Sequence, residues 1–308
     1  MAALRIGIAL GSGSARGWAH IGVLRALEEQ GIVPDIVCGT SIGAAVGAAY
    51  ASGRLDPLES WVRELTRWDM LRLLDWSSVG MEGERLMQAF CERVPDVAIE
   101  SLARPFGAVA TDLASGREVW LTHGSLQQAV RASIALPGLF SPLRHKGRWL
   151  VDGGLVDPVP VALCRALGAD RVIAVNLNGD LLSRQFLRRP RLPSPGELLD
   201  SLGQRLQQAL GNGGSGRSET GARRETVEPP NLFDTMAYAM HIMQDRITRS
   251  RLAGDPPDVV LTPRLGQLAL FDFHRAEEAI AAGRDCAERY RAVLADVLQA
   301  PDPAAGGG

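Results

Sequence analysis

Val33-Pro34-Asp35-Ile36-Val37-Cys38-Gly39-Thr40-Ser41-Ile42-Gly43-Ala44-Ala45-Val46-Gly47-Ala48-Ala49-Tyr50-Ala51 reads as a strand, a sharp turn and a helix. Ile36, Val37 and Cys38 form the apolar end of a buried strand. From Ile42 the residues are small and helix-compatible, which lets the helix lie close on a sheet. Between them sits Gly39-Thr40-Ser41-Ile42-Gly43, a G-x-S-x-G pattern. In a nucleophile elbow the serine occupies a strained turn residue that throws its hydroxyl clear of the backbone. Glycines flank it because a Cβ there would strike the neighbouring strand or helix. The following helix aims its N-terminal N–H groups and positive dipole end at charge developing beside Ser41. Alone, the pentapeptide is a weak signal in a chain with 34 glycines, and the plain alternative is a glycine-rich turn.

Upstream, Leu4 to Leu10 is a short apolar run and reads as a buried strand. It enters Gly11-Ser12-Gly13-Ser14-Ala15-Arg16-Gly17, and helical periodicity then runs from Trp18 to about Gln30, where Gly31 stops it. Strand, glycine-rich loop, helix and strand make a βαβ opening, which implies a parallel sheet with right-handed crossovers. A nucleotide site fits poorly, because the spacing is G-x-G-x-x-x-G and no G-K-[ST] closes the loop. The competing reading is an oxyanion hole formed by Gly11, Gly13, Ser14, Arg16 and Gly17, with backbone N–H groups converging on one point. Arg16 adds charge to that loop or braces it; a bare tight turn is the remaining alternative.

Downstream, Pro57 to Trp76 carries Leu and Trp at amphipathic helical spacing. Such a surface can lie on lipid, although core packing is the commoner outcome. Gly83 to Arg93 reads as a helix, Pro105 to Asp112 and Glu118 to Thr122 as strands, and Ser125 to Ile134 as a helix capped by Ser125. Leu136 to Pro142 is an uncharged Pro/Gly-punctuated loop that lines or underlies an apolar pocket. Leu143 to Val151 reads as a hairpin turning at Lys146-Gly147 and ending in Asp152-Gly153-Gly154. An aspartate at a strand end stands where active-site groups of α/β proteins collect, with Gly153 and Gly154 giving room for substrate. It is a candidate general base, or a turn-initiating aspartate. Pro158 to Leu167 reads as a helix, Arg171 to Leu177 as a strand, Phe233 to Leu252 as a helix, Asp258 to Thr262 as a strand, and Phe273 to Leu298 as one long helix.

With 308 residues, the chain suits one large α/β domain or two small ones. A net charge of −2 removes any global attraction to nucleic acid or acidic lipid. Cys38, Cys91, Cys164 and Cys286 are far apart without a C-x-x-C pair, which fits reduced core cysteines in a cytoplasmic protein and no metal site. The N-terminus reads as a first strand, not a signal peptide, and no apolar run is long enough to span a membrane. Residues 178–230 carry Arg, Pro and Gly clusters and read as a mobile insertion.

Serine hydrolases usually carry a histidine base. His241 and His274 follow Ser41 at a distance, but both fall in or at the start of expected helices, and His20 lies on the first helix. A Ser41–Asp152 dyad is the better assignment. A carboxylate is a weak base for a hydroxyl, so such a site leans on orientation and oxyanion stabilisation.

Gly11-Ser12-Gly13-Ser14-Ala15-Arg16-Gly17-Trp18-Ala19-His20-Ile21-Gly22, Gly39-Thr40-Ser41-Ile42-Gly43, Ile134 to Pro142 and Asp152-Gly153-Gly154 together resemble the patatin-like phospholipase family, in particular bacterial members of the RssA type. The resemblance covers about Ile6 to Val175, with a further match through Asp255 to Ala282. It implies a three-layer α/β/α sandwich with a mainly parallel central sheet. It also implies hydrolysis of lipid acyl esters without metal or other cofactor, with Ser41 as nucleophile, Asp152 as base and the Gly11–Gly17 loop as oxyanion hole. Many family members have three consecutive glycines where this chain has Ser12-Gly13-Ser14, a change that keeps the backbone donors and stiffens the loop. The expected layout is a single domain over 1–308, with a catalytic core at about 4–177, the insertion, a helical part at about 231–298 and a frayed tail at 299–308. The expected partner is a lipid or acyl-ester substrate, with no nucleic acid. Peripheral contact with the inner face of a membrane and the oligomeric state stay open. A low-turnover regulatory protein that keeps the fold is the alternative to an enzyme.

Overall fold

The computed structural model describes residues 4–69, 84–137, 139–180 and 232–299. Its strands are β1 (Ile6–Leu10), β2 (Ile36–Thr40), β3 (Phe106–Asp112), β4 (Glu118–Leu121), β5 (Leu143–His145), β6 (Arg148–Asp152), β7 (Arg171–Val175) and β8 (Val259–Leu261), joined in one 8-stranded sheet. From β3 the strands β2, β1, β7 and β8 follow in parallel, so the centre is the parallel sheet the βαβ opening implies. The three others are antiparallel: β4 and β6 pair with β3, and β5 with β6.

The apolar residues alternate between two faces, as a sheet covered on both sides requires. Ile8, Leu10, Val37, Phe106, Ala108, Ile173 and Val175 belong to one buried cluster. Ala9, Ile36, Cys38, Val109, Val172 and Ala174 belong to the other. The first face is covered by helices α1 (Ala19–Glu29), α2 (Ile42–Ala51), α3 (Leu55–Glu64), α4 (Glu84–Cys91) and α5 (Leu126–Ser133). The second is covered by α6 (Val161–Ala166) and the C-terminal end of α7 (Leu232–Gly254), where Leu252 packs. Helix α8 (Ala276–Arg289) lies along α1, and α9 (Arg291–Gln299) follows it. The result is the three-layer α/β/α sandwich expected from the sequence. The α1–α8 crossing brings backbone to backbone: a Cβ on Gly22 would stand 1.9 Å from the Ile280 carbonyl oxygen, and one on Gly283 would stand 2.0 Å from that of Ala19.

The register around β3 positions the site. Ala108 and Val109 pair with Gly39 and Thr40 of β2, and also with Leu121 and Trp120 of β4. Ala110 and Thr111 pair with Asp152 and Val151 of β6, and also with Val119 and Glu118 of β4. A strand has two edges, and β4 takes one of them. Strands β2 and β6 therefore share the other, end to end and running toward each other. Their C-termini meet where Thr40 faces Val109 and Asp152 faces Ala110.

One element differs from the sequence reading, and a second is only partly described. The helix expected over Phe273–Leu298 is a 3₁₀ turn at Phe273–Arg275 followed by α8 and α9, divided at Tyr290 with no glycine or proline at the break. In α3 and just beyond it Leu55, Leu58, Trp61, Val62 and Leu65 are buried, so this part of the stripe packs into the core, while Trp68 is 72% exposed. Leu71 to Trp76, most of the 178–230 insertion and the residues from 300 onward lie outside the described residues.

Candidate active site

Ser41 occupies the turn between β2 and α2 with φ 58° and ψ −124°. A non-glycine residue with that backbone costs about 1–3 kcal/mol, and the surroundings must hold it there. The two flanking glycines permit the turn. A Cβ on Gly39 would lie 2.4 Å from the backbone of Gly43, and one on Gly43 would lie 2.1 Å from the Leu10 carbonyl oxygen. The Ser41 N–H donates to Ser133 Oγ at 2.8 Å, and that hydroxyl donates to the Val109 carbonyl at 2.6 Å. Thr40 Oγ1 donates to the Asp157 carbonyl at 2.8 Å. The elbow is thus tied to β3, to α5 and to the segment after β6.

The Ser41 hydroxyl donates to Asp152 Oδ2 at 2.6 Å. Asp152 is 1% exposed, and its other oxygen, Oδ1, accepts from Gly154 N at 2.7 Å. Its backbone is held on both sides: Asp152 N donates to the Ala135 carbonyl at 2.9 Å, and its carbonyl accepts from Thr111 Oγ1 at 2.8 Å. Gly153 lies against β3, where a Cβ would come 2.2 Å from the Val109 carbonyl oxygen. Burial raises the Asp152 carboxyl to about 6, with the Ser41 hydroxyl and Gly154 N–H pulling the other way. It is therefore largely ionised at neutral pH and basic for a carboxylate, which suits it to take a proton from a hydroxyl. Among the described residues no histidine bonds to the Ser41 hydroxyl. His241 lies beside Arg16 at 3.0 Å, and His274 accepts from Arg67.

Within the Gly11–Gly17 loop the amides divide into two groups. Gly11 N donates to Val175 O, Ser12 N to Pro158 O, Ala15 N to Leu270 O and Arg16 N to Gly13 O. Gly13 and Ser14 keep amides without an acceptor among the described residues, and both line the same cavity as Ser41 and Asp152. Arg16, 1% exposed, donates from Nε to the Gly13 carbonyl at 3.2 Å. In a planar trans peptide C=O and N–H point opposite ways, so this bond turns the Ser14 N–H away from Arg16. Gly17 backs directly onto Ile42 at the start of α2. His20, fully buried, holds the Gly11 carbonyl from Nε2 at 2.7 Å, and burial lowers its pKa to about 4. The arrangement sets a hydroxyl on a buried carboxylate, beside two amides without an acceptor among the described residues.

The cavity holds about 240 Å³ and is largely apolar, with walls from Trp18, Trp61, Phe90, Leu139, Phe140 and Phe273. Leu136, Pro137, Leu139 and Phe140 line it, as the uncharged composition of that loop suggested. Met240, His241 and Gln244 bring α7 over the strand ends to close one side. Three groups here were not singled out from sequence: Ser133, Gln244 and Leu270. Ser133 falls on the buried stripe Leu126, Ala129, Val130, Ser133, and a hydroxyl on such a stripe is a signal because it needs a partner. Gln244, 5% exposed, accepts weakly from Ser12 Oγ at 3.4 Å, and the Leu270 carbonyl accepts from Ser14 Oγ at 2.6 Å. Neither residue left a mark in the sequence.

A family model described as patatin-like phospholipase matches residues 8–165, which include Ser41 and Asp152. The chain belongs to the patatin-like phospholipase family. An uncharacterized NTE family protein of Mycobacterium tuberculosis is 37% identical over 91% of this chain and 89% of its own length. Neuropathy target esterase sws of Drosophila melanogaster is 37% identical over 56% of this chain, which spans 13% of that protein. A lysophospholipase of Saccharomyces cerevisiae is 32% identical over 64% of this chain and 13% of its own length. The solved structure of VipD from Legionella pneumophila is similar at a TM-score of 0.47 and 15% identity, over 94% of this chain and 67% of that one. Helix α7 and the Leu270 loop, which complete the cavity in this patatin-like chain, lie beyond the matched residues. Among the described residues no helix is long and apolar enough to cross a membrane.

Proposed function

We propose that this protein is a serine acyl hydrolase that cleaves lipid acyl esters, of the phospholipase A or lysophospholipase kind, through a Ser41–Asp152 dyad. The observation that carries the reading is the 2.6 Å hydrogen bond from Ser41 Oγ to Asp152 Oδ2 at the base of an apolar cavity. Ser41 Oγ attacks the ester carbonyl carbon as its proton passes to Asp152. The carbonyl oxygen, now negative, takes the free amides of Gly13 and Ser14, while the N-terminal end of α2 adds its dipole. Collapse of the tetrahedral species breaks the ester C–O bond, and the leaving alcohol takes the proton from Asp152. Water then gives a proton to Asp152 and attacks the acyl-serine; the Oγ–C bond breaks, Asp152 returns that proton to Ser41 Oγ, and the fatty acid leaves.

The apolar walls favour a hydrocarbon chain as the acyl group, and the lysophospholipase name carried by fungal relatives agrees with that class. Reaction with a fluorophosphonate probe tests the reading: wild type is labelled at Ser41 and Ser41→Ala is not. Equal labelling of both would remove Ser41 as nucleophile. Failure of wild type to hydrolyse any p-nitrophenyl acyl ester would favour the regulatory alternative.

A further inference from the structure

Whole-chain charge gives no attraction to anionic lipid, since the net value is −2. Basic side chains nevertheless collect at one end of the sheet, on the β5–β6 hairpin Leu143-Arg144-His145-Lys146-Gly147-Arg148-Trp149. Arg144, Lys146 and Arg148 are exposed on it. Around the same end lies a hollow of about 270 Å³ whose rim holds His123, His145, Lys146 and Arg148 and whose floor is Val119, Leu121 and Leu150. The acids nearby are Asp112, Glu118 and Glu100. Glu118 is already paired with Arg251 at 2.8 Å. Asp112 accepts from Ala114 N and lies 3.8 Å from Arg148. Glu100 accepts from its own N–H and from that of Gly124, which hold its carboxyl below the usual range, and His123 and Lys146 lower it further.

Two exposed tryptophans stand on the other face of these strands, opposite Arg148, His145 and the hollow. Trp120 is 43% exposed and Trp149 52%. Trp120 faces Val109 and Val151 faces Thr111, so strand alternation brings Trp149 out on the same sheet face as Trp120. Trp149 pairs directly with Arg144 across the hairpin. Tryptophan next to Lys and Arg suits the boundary between lipid headgroups and acyl chains, where the ring is half in each phase and the cations meet phosphate. The hairpin also continues from the cavity wall: Leu139 and Phe140 line the acyl cavity, and β5 begins at Leu143.

We infer that the β5–β6 hairpin docks this protein tip first on an anionic lipid bilayer, with Trp149 entering the interface and Arg144, Lys146 and Arg148, on both faces of the hairpin, contacting headgroup phosphates. This rests on the reading of the site as a lipid ester hydrolase, since docking there brings the acyl cavity to its substrate. The bilayer is the occupant on grounds of charge: a hairpin tip with exposed cations on both faces and an exposed tryptophan complements an anionic amphiphile surface.

The test uses full-length Ser41→Ala protein and sucrose-loaded vesicles, either pure phosphatidylcholine or containing roughly one third phosphatidylserine. The parent sediments with the anionic vesicles and not with the neutral ones, and added salt releases it. Lys146→Glu with Arg148→Glu lowers partitioning by about tenfold or more. Trp149→Ala and, separately, Arg144→Glu each weaken it, which guards against one variant that does not fold. The same substitutions placed on wild-type Ser41 leave hydrolysis of a soluble short-chain ester and the thermal midpoint unchanged. Parent protein that ignores anionic vesicles overturns the proposal, as do charge-reversed variants that bind like the parent. So does a change in self-association alone, which would make the face a contact between copies. Vesicle binding without any ester hydrolysis by wild type would overturn the hydrolase reading and leave the docking surface standing.

Discussion

Ser133 holds the backbone of Ser41 in place: its Oγ accepts the Ser41 N–H at 2.8 Å and donates to the Val109 carbonyl at 2.6 Å. A hydroxyl that does both is a clamp between the elbow and β3, and it is fully buried. Ser133→Ala removes the clamp and leaves the Ser41 N–H and Val109 carbonyl short of a partner, at a cost of about 1–3 kcal/mol. The strained φ of Ser41 then has less to maintain it. We expect kcat to fall roughly tenfold with KM little changed, since orientation and not binding is lost. Urea unfolding and steady-state kinetics on a soluble ester check both; a variant with wild-type kcat would remove Ser133 from the positioning of the site.

Asp152→Asn separates activity from stability. The substitution removes the base, and turnover should fall by about 10²–10⁴-fold. Stability should move the other way. The folded carboxyl sits at about 6 because of burial, well above its unfolded value. The native state therefore binds the proton more tightly, and ionisation opposes folding above that pH. This penalty is absent below the unfolded value near pH 4, grows between pH 4 and 6, and stays constant above, at a few kcal/mol. The asparagine variant should show a higher thermal midpoint than wild type at pH 8 and a smaller difference at pH 4.5. An equal or lower midpoint at pH 8 would contradict the buried-charge account.

The same ionisation sets the acid limb of activity. The base is the deprotonated form, so kcat/KM on a soluble ester should drop as pH falls through about 6. A profile flat down to pH 4.5 would show that Asp152 is not the group whose ionisation matters.

Ser14 adopts φ 52°, in the left-handed region, and its hydroxyl is bonded to the Leu270 carbonyl. Ser14→Ala keeps the strain and loses the bond, and should cost about 1–2 kcal/mol. Ser14→Gly loses the same bond and relieves the strain, so it should be the more stable of the two. Because the donor offered to substrate is the backbone N–H, both variants should keep most of their turnover. Denaturant titration of the pair checks the order; alanine at least as stable as glycine would refute it.

Gly22→Ala tests packing away from the chemistry. Its new Cβ would meet the Ile280 carbonyl at 1.9 Å, which forces α1 and α8 apart at a cost of about 1–3 kcal/mol or more. Activity per folded molecule should stay near wild type, as measured by unfolding midpoint and active-site titration; an unshifted midpoint would mean that the crossing is loose.

Much of the site could be read from residue types and their order. Gly39 and Gly43 around Ser41, and Asp152 at the end of an apolar run, each announced a local geometry that local chemistry enforces. The greasy loop before β5 was legible because a run without charge must line something apolar. What escaped depends on tertiary placement. That Gly11 N and Arg16 N are occupied while Gly13 N and Ser14 N have no acceptor among the described residues follows from where the Val175 carbonyl lies and how the loop folds on itself, and neither is written locally. The tryptophans show the same limit: Trp61 on its amphipathic stripe is buried, whereas Trp149, at the end of a short hairpin, is half exposed. Burial of an amphipathic face depends on which neighbour reaches it first.

Because β2 and β6 abut on a single edge of β3, the spacing between hydroxyl and carboxylate is gauged by one intervening strand. Ser41 and Asp152 stand 111 positions apart in the chain, and of that interval β3, with the Ser133 and Ala135 contacts, sets the distance. Segments of that interval outside α2, β3 and the end of α5 can lengthen, shrink or be exchanged for others without disturbing the reacting pair, leaving substrate choice free to drift while the chemistry stands still.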